Sequence, residues 1–194
     1  MSVTLNEQGQ NISAAVEVLL ETYKNLEIFF SELDRVGEEE GFVTLTPRFM
    51  RWKSDTDYTG WLIQDFLKLY QLEADPVSET FPDLRIGNLF GVEVRLNEKY
   101  PVLSLIRYDV DYSHWTRMPA VSDHWVFYGP FKYENFFDIN KVGNRWTSTT
   151  REKGIKRHWG IKRAIAVDLQ LVDVKSVQDI RLQVLEKLKE LTFD

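Results

Sequence analysis

The sequence predicts an α+β fold: a mostly antiparallel sheet with a long N-terminal helix, one inserted helix and a C-terminal helix packed on one face. Three observations carry this. Apolar residues recur at three and four positions near both ends of the chain. Between those ends lie short alternating runs separated by turn residues. Runs of strands flanked by helices, rather than strict strand-helix alternation, favour antiparallel pairing.

The first helix is read from Ile12, Val16, Leu19, Leu20, Tyr23, Leu26, Phe30, Leu33 and Val36, with Asn11 or Ser13 as cap and an end near Gly37. Residues 42–53 read as an extended segment that Pro47 interrupts. Residues 59–72 fit either element; the spacing of Leu62, Phe66, Leu69 and Tyr70 favours a helix, with Asp57 or Thr59 at its start. Residues 73–85, with Pro76, Pro82 and four acids, form a loop. Residues 86–96 and 100–112 then make a hairpin about Asn97-Glu98-Lys99. A short aromatic strand is expected at 124–128, stopped by Gly129-Pro130, with further strands at 136–139, 145–150 and 161–172. The C-terminal helix starts at Ser176, with Asp179 three residues on, and its stripe is Val177, Ile180, Val184, Leu188 and Leu191.

Composition narrows the function classes. The 194 residues are 43% hydrophobic and contain no cysteine, so a single globular domain over 1–194 is expected, without disulfides, thiolate metal sites or a thiol nucleophile. The opening residues lack the basic and apolar regions of a secretory signal, and charges interrupt every apolar stretch. A cytoplasmic protein without membrane association is therefore expected, and the sequon at Asn11 is discounted. Neither a phosphate-binding G-x-x-x-x-G-K-[ST] loop nor a G-x-S-x-G or H-E-x-x-H motif occurs.

Charge is unevenly distributed. The chain carries 24 basic and 30 acidic side chains, a net charge of -6. Residues 144–163 hold seven cations against Glu152 alone, a net of +6, leaving 17 basic and 29 acidic side chains, or -12, elsewhere. Within this segment Arg145, Arg151, Lys153, Lys156, Arg157, Lys162 and Arg163 interleave with Trp146, His158 and Trp159. Such a mixture can neutralise phosphates and stack a base, so these ten residues are the candidate binding set. The partner would be anionic: nucleic acid, a small phosphate-containing ligand or an acidic protein surface. The competing reading is a solvated connection whose cations pair with the acidic body.

A second constellation is Asp109, Asp111 and His114. On a strand the two aspartates share a face with Arg107, and His114 follows just beyond. Two carboxylates and an imidazole can hold a divalent metal or serve as acid and base, with His124 as a further ligand. An ion-paired sheet face would look the same in sequence. Each histidine also precedes a tryptophan, at His114-Trp115, His124-Trp125 and His158-Trp159, which suits either core tryptophans or an aromatic platform.

Three functions are thus expected in order: a non-enzymatic binding or accessory protein using residues 145–163, a metal-dependent or acid-base enzyme on a phosphate-containing or carbohydrate substrate using the Asp/His cluster, and a structural or oligomerisation module. No cofactor is expected beyond that divalent metal.

Overall fold

The computed structural model describes residues 5–193. Helix α1 (Leu5–Glu39) is followed by β1 (Phe42–Thr44), β2 (Asp65–Leu72), β3 (Leu89–Arg95) and β4 (Val102–Val110). A long connection containing the one-turn helix α2 (His124–Tyr128) leads to β5 (Phe137–Val142) and β6 (Arg145–Thr150). The short helix α3 (Glu152–Ile155), β7 (Ile161–Gln170) and a C-terminal helix complete the chain. The seven strands form one sheet in the order β1-β2-β3-β4-β7-β6-β5, antiparallel throughout. The expected α+β class and the helical cover of one face are therefore present.

That cover comes from α1 and the C-terminal helix. Leu26, Phe30, Leu33 and Val36 pack with Ile180, Val184, Leu185 and Leu188 onto Phe66, Tyr70, Val92, Val94, Leu103, Leu105 and Ile165. Burying each such large side chain contributes about 1.5–3 kcal/mol. Lys68 of β2 faces this helical layer, where it pairs with Asp34 of α1, and Tyr70 Oη donates to the same carboxylate at 2.7 Å. The apolar stripe of α1 continues outward past the sheet, leaving Ile12 67% and Val16 50% exposed. Among the described residues no helix is long and apolar enough to cross a membrane.

The opposite face is covered by the connection between β4 and β5. Trp115, Val126 and Phe127 pack there against Leu67, Leu69, Ile106, Tyr108, Ala164 and Ala166. This connection must carry the chain from the middle of the sheet to its far edge, because β7 and β6 lie between β4 and β5. It therefore crosses the face and brings its own side chains down on it.

Several elements match the sequence reading. The hairpin of β3 and β4 pairs Leu89 with Tyr108 through Arg95 with Val102. Strands at 137–142 and 145–150 also match, and Gly143, at φ 62°, begins the two-residue turn that joins them, which the sequence reading did not mark. Ser176 Oγ accepts from Asp179 N at 3.1 Å, while the Asp179 carboxylate accepts from Lys175 N at 3.0 Å. The C-terminal helix runs from there as Val177–Asp179, a π-helical Ile180–Leu185 and Glu186–Glu190.

Two elements differ from it. Residues 65–72 are a strand, not the inserted helix expected over 59–72. Only Tyr58–Gly60 is helical there, a 3-10 turn capped by Asp57. β2 lies between β1 and β3 with both faces covered, so its residues form an almost continuous buried run with no clean period. Residues 124–128 are a helical turn, not a strand. Asp123 holds Arg117 with two hydrogen bonds of 2.6 and 2.7 Å and accepts from Ala120 N at 2.7 Å, which bends the backbone just before His124. The inserted helices are thus α2 and α3. The extended segment expected over 42–53 pairs only to Thr44, then touches β2 again through a single bridge from Met50 to Leu67.

Candidate functional site

Antiparallel register places one polar row across the middle of the sheet. Glu93 of β3 lies opposite Ser104 of β4, and Ser104 lies opposite Asp168 of β7. Directly paired residues share a face, so all three side chains stand on the side away from α1. Arg95, two residues beyond Glu93, stands on the same face with Asp65 of β2 opposite it. Trp146 of β6 lies opposite Ala166, one step along from Asp168.

These groups are tied together. Arg95 reaches Glu93 at 3.3 Å, Asp168 at 3.2 Å, Glu98 at 3.5 Å and Ser104 at 2.6 Å. Ser104 donates to Asp168, and Trp146 Nε1 donates to the same carboxylate at 2.9 Å. Burial works against the charge of Arg95, but Glu93, Asp168 and Glu98 together hold its pKa above the ordinary value. From the crossing connection, His124 Nε2 meets Glu93 Oε1 at 3.0 Å, with both side chains buried. His124 Nδ1 is buried without a hydrogen-bond partner among the described residues.

Above the row is a cavity of about 160 Å³. Its floor is Glu93, Ser104, Ile106, Ala166 and Asp168, and its walls include His124, Tyr128, Phe131 and Trp146. A neighbouring hollow of about 360 Å³ shares Asp65, Asn97, Tyr128 and Lys132 with it and adds Trp52, Thr59, Leu62 and Gln64. The space suits a small molecule: at about 30 Å³ per water, the first hollow holds about five waters.

Two charges of the lining stand apart from the network. Among the described residues the Asp65 carboxylate has no hydrogen bond or ion pair. Burial and then the nearby Glu93 push its pKa up, against the opposing fields of His124, Lys132 and Arg95. Lys132 is exposed, has no ion pair among the described residues, and sits 4.9 Å from the Tyr128 ring centre. Tyr128 Oη shares a 2.6 Å hydrogen bond with Tyr133 Oη, and burial followed by that bond raises its pKa.

The residues singled out from the sequence occupy other places. Asp109 pairs with Arg163 at 2.8 Å. Asp111 accepts from Ser113 N and Oγ, at 3.1 and 2.7 Å, with Lys162 at 3.9 Å. The Ser113 contacts, side chain first, hold the Asp111 pKa below the ordinary carboxylate value. A bulge interrupts β4 between Asp109 and Val110, and His114 lies exposed at the end of the Tyr112–His114 turn. Neither aspartate lines the cavity that His124 lines. Among the described residues no group of three or more His, Asp or Glu is placed to hold a metal ion.

The basic segment is largely engaged within the chain. Arg151 pairs with Asp138 at 2.6 Å, Arg163 with Asp109 and Lys162 with Asp111. Arg145 donates to Thr192 O at 3.2 Å. The Arg157 guanidinium lies 5.1 Å from the Phe136 ring centre and 5.5 Å from that of Trp125, and Lys153 lies 5.8 Å from Phe136. Lys156 is exposed. His158 is fully buried, Nδ1 3.0 Å from Val126 O, and burial lowers its pKa. Trp159, at φ 51°, accepts from Trp115 Nε1 at 2.9 Å through its carbonyl. The His-Trp pairs interlock: Trp125 meets the His158 ring at 5.5 Å, and Trp115 meets Trp159 at 5.7 Å. Of the ten candidate binding residues, only Trp146 lines the central cavity.

Glu93, Arg95, Asp168, Asp65, Tyr128 and Lys132 were not marked in the sequence. The available signal was charge inside strands: Val92-Glu93-Val94-Arg95 alternates, and a charged position in a strand covered on both faces demands a partner or a ligand. Comparison of the chain with protein-family models, curated proteins and solved structures gives no match.

Proposed function

We propose that the chain is a binding protein for a small polar organic molecule, seated over the Glu93-Ser104-Asp168 row. The observation that carries this reading is a partly enclosed hollow whose floor charges, Glu93 and Asp168, are already held by Arg95, Ser104, His124 and Trp146. A site that holds its dipoles before the ligand arrives needs little reorganisation to bind. Apolar walls from Phe131, Ile106 and Trp146 beside a few convergent polar groups are the composition of small-ligand sites.

The basic segment does not carry the proposal. An anionic partner would have to compete with Asp138, Asp111 and Asp109 for Arg151, Lys162 and Arg163. Asp109 and Asp111 are likewise occupied by local pairing.

The test is two-dimensional ¹⁵N NMR of the intact chain titrated with anionic, cationic, neutral and zwitterionic fragments of about ten non-hydrogen atoms. The Trp146 indole N–H, identified with Trp146→Phe, reports from inside the cavity. Fragments of at least one class are expected to shift it. If none does at millimolar concentration, the cavity is not a ligand site.

A further inference from the structure

The two uncommitted charges of the cavity wall are opposite in sign. Asp65 and Lys132 both line the central cavity and the neighbouring hollow, yet they form no ion pair with each other. The remaining charges of the wall are spoken for: Glu93, Glu98 and Asp168 by Arg95, Glu93 also by His124, and Asp168 also by Ser104 and Trp146.

Resting on the ligand-binding reading above, we propose that the ligand is a small zwitterion of the α-amino-acid type, its ammonium group held by Asp65 and its carboxylate by Lys132. A simple dication would meet Lys132, and a simple anion would meet Asp65 beside the surplus acids of the wall. A molecule carrying both charges satisfies both groups at once. Both residues belong to both hollows, so the charged end of the ligand would lie at their junction. Its side chain would then occupy the inner hollow against Phe131 and Trp146. An inner hollow with room for about five waters fits the side chain of an amino acid of small or middle size.

The geometry also accounts for the state of Asp65. A half-buried carboxylate without a partner is a cost in the empty protein, and an arriving ammonium supplies the missing charge. An analogue lacking the ammonium leaves the half-buried Asp65 without a partner, whereas loss of the carboxylate costs only the weaker attraction of the exposed Lys132.

The experiment is isothermal titration calorimetry of the intact chain with each proteinogenic L-amino acid. The tightest is then compared with its N-acetyl derivative, its carboxamide and its decarboxylated amine. The free zwitterion is expected to bind, with the N-acetyl form about tenfold or more weaker and the carboxamide and amine weaker by about two- to fivefold. Asp65→Asn should then lose the discrimination against the N-acetyl form and Lys132→Met the discrimination against the carboxamide, each leaving the other preference intact. A merely structural role would not separate the two preferences in this way. Neither side chain holds a structural ion pair, so both variants are expected to fold.

Equal affinity for free and blocked forms would overturn the proposal, as would binding by no amino acid. In either case a Trp146 shift with other fragments would leave the cavity standing as a ligand site. The absence of any such shift would remove both readings together.

Discussion

His124 Nε2 and Glu93 Oε1 are 3.0 Å apart, although the two residues lie on different layers of the fold and 31 positions apart in sequence. Glu93 is the hub of the polar row: its other oxygen faces Arg95, and both Glu93 and His124 are buried. Removing the carboxylate would leave the buried His124 imidazole without its partner, and Arg95 with Asp168 and Glu98 alone. Glu93→Ala is therefore expected to destabilise the chain by about 1–3 kcal/mol, read from urea unfolding midpoints. A loss below about 1 kcal/mol would mean that the row is solvated and not a fixed network.

Asp65 should behave in the opposite sense. Burial and Glu93 raise its pKa in the folded chain, so the folded state binds a proton more readily than the unfolded state. Stability from this group is then present at low pH and is lost as pH rises through the folded pKa. Asp65→Asn, which cannot ionise, is expected to raise Tm at pH 7, with the difference shrinking as the pH falls below the carboxylate range. Calorimetric scans of both proteins across that range check it. A stabilised variant that binds ligand less well would be the usual exchange of stability for function at a binding site.

Two buried tyrosines set the alkaline limit of the fold. Burial first, then Asp34, raises the Tyr70 pKa well above its usual value near 10, and burial followed by Glu93 does the same for Tyr108. Tyr108 Oη also donates to Phe127 O at 3.0 Å. The folded chain holds these protons more tightly than the unfolded chain, so stability is undiminished below about pH 10 and falls as pH rises beyond it. Tyrosinate absorbance from these two residues is expected to appear together with the loss of circular dichroism. Full tyrosine ionisation while the chain stays folded would contradict their burial.

The basic segment offers a test of intramolecular pairing. With Arg151, Lys162 and Arg163 held by carboxylates, labelled single-stranded oligonucleotides are expected to bind at low salt only and to be released near physiological salt. Fluorescence anisotropy measures this directly. Binding that persists at physiological salt and is lost on Lys156→Glu would place these cations on a functional surface.

The legible parts of the sequence were those in which one face alone is buried. α1 and the C-terminal helix each show a single apolar stripe, and β3 with β4 flank an unmistakable turn, so local period and turn chemistry suffice to locate them. β2 lacked that contrast. With both faces covered, Phe66 through Gln71 are all buried, and a short run without polar alternation has no period to read. α2 escaped for a different reason, since its backbone bend depends on Asp123 holding Arg117 and the Ala120 amide.

The sequence by itself determined the element types at the two ends, the antiparallel class and the concentration of positive charge in residues 144–163. Only the tertiary structure decided where that charge goes and where a ligand could sit. Asp109 and Arg163 meet because β4 and β7 are neighbours, which no local pattern encodes. The polar row exists because register aligns Glu93, Ser104 and Asp168 from three strands, and the cavity exists because the crossing between β4 and β5 lays His124 over them. Periodicity tells a residue which face it occupies, while the identity of the group opposite is set by sheet order and by the path of a connection across that face.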